Sequence, residues 1–146
     1  MKILEIFTKN RIIGNLGERE AVKHLRRHGY RILERNYVAL GHEIDVIARK
    51  KNITAFVEVK ARNVKYLGYR EARPASAVTP EKQRKIISTA NYYSRVKKLN
   101  TRMRFDIIEV YLSDKDKGVK IEEVKHLEGA YDWNTAHSIY KERDFR

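Results

Sequence analysis

Apolar residues in GNLGEREAVKHLRRHGY recur at helical spacing, with Ala21, Val22 and Leu25 on one stripe. The spacing predicts an amphipathic helix, with Asn15 as its N-cap and Gly29 at its C-terminal stop. YRILERNYVAL predicts a strand, and HEIDVIARKKNITAFVEVK predicts two more, joined by a short polar turn. A second helix starts at Val78-Thr79-Pro80-Glu81: threonine caps, proline takes the first helical position, and an acid enters the first turn. Ile86, Ile87, Ala90 and Tyr93 carry that helix to the neighbourhood of Lys97. RFDIIEVYL and VKIEEVKHL predict two last strands, with the turn at residues 114–118. The order helix, three strands, helix, two strands specifies an α/β protein, a mixed sheet with helices packed on it.

The 146 residues suit one domain with a buried core. The expected organisation is a lead over residues 1–13, a single domain over 14–133 and a tail over 134–146. Within the domain, residues 63–77 are expected to form a mobile basic loop. MKILEIFTKNR is interrupted by Glu5 and fits neither a signal peptide nor a membrane span. The absence of cysteine excludes disulfides and thiolate metal sites and points to a reducing compartment. A cytoplasmic protein without membrane contact is expected. Charge changes the picture more, because 32 basic residues against 19 acidic ones leave a net +13. Such a surplus favours a polyanionic partner, since Lys and Arg displace counterions from phosphates. A heat-adapted surface explains abundant charge of both signs, but not the imbalance.

Three charges stand where the strands should be apolar. Asp45 lies among Ile44, Val46 and Ile47, while Glu58 and Lys60 alternate with Val57 and Val59. Side chains alternate across a strand, so Glu58 and Lys60 share a face. If Lys51-Asn52 forms a two-residue turn pairing Lys50 with Ile53, Asp45 falls opposite Glu58. Cross-strand partners lie about 4.5–5.5 Å apart at Cβ, so these carboxylates repel unless a positive charge intervenes. Lys60 supplies part of that charge, and a divalent cation with oxygen ligands supplies it more fully. Singly, Glu58 and Lys60 also fit a solvated strand face. Together they stand in runs that read as buried on both sides, where unpaired charge is costly. Glu18 falls on the apolar stripe of the first helix and is a further ligand candidate, with Glu43 beside Asp45 as a supporting acid. Carboxylate-held Mg²⁺ beside a lysine suits phosphodiester hydrolysis.

An acid, a short hairpin and Glu-x-Lys on the next strand resemble the core of the PD-(D/E)xK nuclease superfamily, the restriction-endonuclease-like fold. GERE, HGYRILERN, EIDVIA, FVEVKAR, AVTPEKQRKI and RFDIIEV, in this order over residues 14–133, more closely resemble the YraN-like family of predicted bacterial endonucleases. That family is itself similar to archaeal Holliday-junction resolvases. The resemblance implies a mixed sheet of about five strands flanked by helices and a DNA endonuclease dependent on Mg²⁺, with Mn²⁺ as a substitute. It implies Asp45, Glu58 and Glu18 as metal ligands and Lys60 as the catalytic lysine. Lys82 and Gln83 match a Lys/Gln pair facing phosphate or the site. Branched DNA as substrate and a homodimer follow by family analogy. Two departures stand out: the proline of the nominal signature is absent before Asp45, and His42 replaces the usual glycine.

Arg62, Lys65, Arg70 and Arg73 interleave with Tyr66 and Tyr69, a combination suited to binding a nucleic-acid backbone while stacking on exposed bases. The histidines at 24, 28, 42, 126 and 137 lack metal-binding spacing, and His24 and His28 sit in a cationic helix patch. Two alternatives stand beside the nuclease. One is a nucleic-acid-binding module of the same fold without efficient cleavage, and the other is a structural protein whose strand charges serve a partner.

Overall fold

The computed structural model describes residues 3–64, 78–115 and 118–134. Seven elements follow one another: α1 (Ile3–Arg27), β1 (Arg31–Ala39), β2 (His42–Lys50), β3 (Ile53–Asn63), α2 (Pro80–Val96), β4 (Arg102–Lys115) and β5 (Gly118–Tyr131). The strands form one sheet in the order β1-β2-β3-β4-β5. All neighbours are antiparallel except β3 and β4, which are parallel and joined through α2. This is the expected α/β architecture. None of the described helices is long and apolar enough to cross a membrane.

The first helix starts twelve residues before the expected N-cap, and Asn15 lies inside it. Residues 3–13 contain no proline, and a lone Gly14 costs only about 1 kcal/mol in a helix. Ile13 and Leu16 repay that cost by packing against the sheet. The stop at Gly29 forms as expected: its φ is 84°, and the Tyr30 N–H donates to the Leu25 carbonyl in a Schellman turn. Thr79 caps α2 by accepting from the Lys82 N–H, with Pro80 at the first position. β4 and β5 run further than their apolar cores indicate, pairing out to Lys115↔Gly118.

The helices cover opposite faces of the sheet. Ala21, Val22 and Leu25 of α1 pack on Val46, Ala48, Ala55, Val57, Ile108, Val110 and Leu112. On the other face Ile86, Ile87, Ala90 and Tyr93 of α2 pack on Ile44, Ile47, Phe56, Phe105 and Ile107. Both faces of β2, β3 and β4 are therefore buried, which is why their runs are apolar without alternation. The β2–β3 hairpin has the expected two-residue turn, with Lys50 opposite Ile53 and Lys51 at a φ of 53°.

Candidate metal centre

The β2–β3 ladder runs from Lys50↔Ile53 to Val46↔Val57 and stops there. Asp45 is the next residue. Ile44 and Val46, two residues apart, pack into opposite clusters, so β2 turns over at Asp45 and parts from β3. Asp45 fills the opening, where its Oδ2 accepts the Val59 N–H at 2.8 Å. On the β1 side, Arg35 pairs with Val46 and Tyr37 with Ile44, which leaves Asn36 across from Asp45 with a φ of 51°. Asparagine tolerates this left-handed conformation better than most residues.

Helix α1 approaches the same opening closely. A Cβ on Gly17 would lie 2.9 Å from the Ala61 Cβ, so only glycine lets the helix settle this near β3. The next residue, Glu18, thereby joins Glu43 and Asp45, and one ligand atom from each lies within 4.8 Å of the others. With its nitrogen turned toward the acids, the Asn36 amide donates to Glu43 Oε1 at 2.9 Å and Glu18 Oε2 at 3.3 Å. Asn36 and the full part played by Glu43 were not singled out from sequence. The available signal was an asparagine inside a strand, where that residue is depleted.

Glu58 faces the other helix. Its Oε1 accepts from Lys82 Nζ at 2.5 Å and lies 3.5 Å from Lys60 Nζ. It therefore sits beside the three-acid group but outside it, held by two cations. Burial and then the Glu58 charge lift Asp45 to about 7, against the Val59 N–H. Burial and then Glu43 raise Glu18 as well. Burial opposes the charge on Lys82, but Glu58 outweighs it and the lysine's pKa rises. The site is thus a compressed set of negative charges with lysines on one side, and all its carboxylate donors are hard oxygen ligands.

Gln83 turns inward. Its nitrogen donates to the Val78 carbonyl at 2.9 Å, and among the described residues its buried Oε1 has no hydrogen-bond partner. Arg62 is half-buried at the end of β3, and its Nε likewise has no partner among the described residues. Lys65, Tyr66, Tyr69, Arg70 and Arg73 lie outside the described residues. Lys60 pairs in register with Glu109 of β4, a fully buried acid that accepts from the Tyr111 hydroxyl and whose other oxygen has no partner among the described residues. Glu109 escaped the sequence reading, although it is an acid within an apolar strand, like Glu58.

Comparison with known proteins matches residues 17–110 to the model of a family described as "Uncharacterised protein family UPF0102". A UPF0102 protein of Caldicellulosiruptor saccharolyticus is 40% identical over 117 residues, covering 80% of this chain and 96% of the relative. One from Clostridium perfringens is 45% identical over 102 residues, covering 69% and 80% respectively. One from Clostridioides difficile is 45% identical over 108 residues, covering 73% and 90%. The match takes in Glu18, Asn36, Glu43, Asp45, Glu58, Lys60 and Lys82, and the chain belongs to the UPF0102 family.

Proposed function

We propose that this protein is a metal-dependent endonuclease that hydrolyses phosphodiester bonds in DNA, branched or junction DNA included. The observation that carries the reading is the convergence of Glu18, Glu43 and Asp45, from a helix and a strand, beside Glu58 and Lys60. Mutual repulsion at such spacing is relieved by a hard divalent cation, and an all-oxygen donor set suits Mg²⁺ or Mn²⁺. Asp45 and Glu18 would hold it with Glu43, and Glu58, now paired with Lys60 and Lys82, would turn to join them. When bound, the ion supplies a Lewis acid for a phosphoryl oxygen and a lowered pKa for water. Lys60 orients the attacking water and stabilises charge developing on the scissile phosphate. The water oxygen bonds to phosphorus and gives up a proton as the ester P–O bond breaks, and the leaving oxygen takes that bond's electron pair and a proton from solvent. If Glu58 held a cation, Lys82 would lose its carboxylate partner and could pair with a phosphate oxygen instead. Arg62 and the basic loop would hold the backbone. The resemblance to resolvases extends the proposal to a homodimer, and the lack of cysteine to the cytoplasm.

The 2.5 Å contact between Lys82 and Glu58 favours a second reading, a nucleic-acid-binding module that keeps the fold without efficient cleavage. Incubation of supercoiled, branched and single-stranded DNA with Mg²⁺ or Mn²⁺ separates the two. Cleavage by the native chain that is lost in Asp45→Ala and Lys60→Ala supports the nuclease. Binding without metal-dependent cleavage of any substrate overturns it in favour of the module.

A further inference from the structure

A cleft of about 320 Å³ lies between the C-terminal turn of α1, the β2–β3 hairpin and the start of β4. It has no part in the chemistry above. Lys50, Lys51, Arg102 and Arg104 line it together with Tyr30 and Asn52. Arg104 is committed: its guanidinium donates to both oxygens of buried Asp106, at 2.9 and 2.8 Å, and to the Tyr30 hydroxyl at 2.5 Å. The other three cations are not. Among the described residues, Lys50, Lys51 and Arg102 have no carboxylate within 4.0 Å of their charged nitrogens. The lone acid of the lining, Glu128, is engaged by Arg104 and by the Tyr30 hydroxyl.

The walls are fixed by backbone and buried polar contacts. The Arg102 N–H donates to the Asn52 carbonyl at 2.8 Å, tying β4 to the hairpin turn. The hydroxyls of Thr54 and Thr101 are bonded at 2.6 Å just behind it. Gly29 and Tyr30 close the α1 side through the Schellman turn. Three cations without an acid partner line one concavity, and an anion relieves their mutual repulsion. The Tyr30 ring carries the Lys50 ammonium at 5.3 Å and the Arg104 guanidinium at 5.8 Å, so its face is taken and offers no stack for a base. The ligand suited to the cleft is therefore a phosphate rather than a nucleobase.

We propose that this cleft is a second anion site that binds a backbone phosphate of the nucleic acid, an assignment that rests on the DNA partner proposed above. Ile53 at the cleft and Glu58 at the carboxylates are five residues apart on β3, or about 17 Å at strand rise. The cleft thus anchors the substrate about 17 Å from the scissile bond.

The test is anisotropy of a fluorescein-labelled oligonucleotide in EDTA, so that binding is read without cleavage. Lys51→Glu with Arg102→Glu is compared with Lys23→Glu plus Lys120→Glu, which makes the same change in net charge on other surfaces. Weakening of about tenfold or more by the cleft pair, against less than about twofold by the control, supports the site. Thermal denaturation of each variant confirms that it is folded. Equal weakening by both pairs, or none by either, overturns the proposal. Calorimetry with inorganic phosphate distinguishes the sources: stoichiometric phosphate binding that the oligonucleotide fails to displace also overturns the backbone assignment. Because no arm requires Mg²⁺ or turnover, an absence of cleavage by the native chain leaves the result standing, and a negative binding result leaves the nuclease reading intact.

Discussion

The one bond that favours charge on Asp45 is outweighed by its surroundings. The Val59 N–H stabilises its carboxylate, while burial, Glu58 and Glu18 work against it and lift its pKa from 3.8 to about 7. The folded state therefore holds a proton that the unfolded chain releases near pH 4. Stability contributed by this group is greatest below that point and falls as pH rises toward 7. The loss is at most about 4 kcal/mol. Asp45→Asn keeps the shape and the oxygen that accepts from Val59 but never ionises. It is expected to melt above the native protein at pH 8 and to lose that advantage at pH 4, as thermal denaturation across that range will show. Mg²⁺ should reverse the order at pH 8, because cation binding favours the ionised ligand and stabilises only the chain that retains it. Asn36 acts in the same region by donation, one amide shared between two acids whose repulsion it lowers.

The carboxylates converge only because α1 reaches β3 at Gly17. In Gly17→Ala the new methyl meets the Ala61 Cβ at 2.9 Å, and a helix gain of about 1 kcal/mol opposes an overpacking cost of about 1–3 kcal/mol. The expected net effect is destabilisation together with weaker Mg²⁺ binding, since Glu18 moves with the helix. Ala61→Gly should restore both in the double variant, which urea denaturation and a metal titration will read as a coupling. Elements of this kind were largely legible. The hairpin register followed from Lys51-Asn52, the α2 start from Thr79-Pro80-Glu81, and the stop of α1 from Gly29, because each depends on local backbone chemistry. The start of α1 was not legible, since packing of Ile13 and Leu16 on a distant sheet outweighs Gly14. The place of Glu58 was not legible either. Strand alternation sets its face, but only the packing of α2 reveals that Lys82 reaches it.

At the scale of the molecule, half-buried Asp45 and fully buried Asp106 oppose one another in pH dependence, and the net +13 bears on the proposed DNA partner. Burial raises the pKa of Asp106, but its bonds from His126, Arg104 and the Gly129 N–H outweigh that and hold it below the ordinary range. Its contribution is therefore present above about pH 4 and lost as pH falls through the depressed value, the reverse of Asp45. Asp106→Asn should cost about 3–5 kcal/mol at neutral pH by leaving Arg104 only the more distant Glu128 as an acid partner, with the difference shrinking in acid. The proposed binding to DNA should follow charge rather than fold stability. Each phosphate neutralised by Lys or Arg releases counterions, so the logarithm of the binding constant should fall linearly with the logarithm of salt concentration. For duplex DNA the slope is about −0.9 per phosphate contacted. Asp45→Ala removes one negative charge from the acid cluster without touching a cation, so its affinity in EDTA should equal or exceed the native value, with the slope unchanged. Lys51→Glu with Arg102→Glu should instead flatten the slope by about one to two. Titrations at several salt concentrations thus separate a backbone contact at the hairpin from the acids at the other end of β3, through a quantity that neither folding stability nor turnover determines.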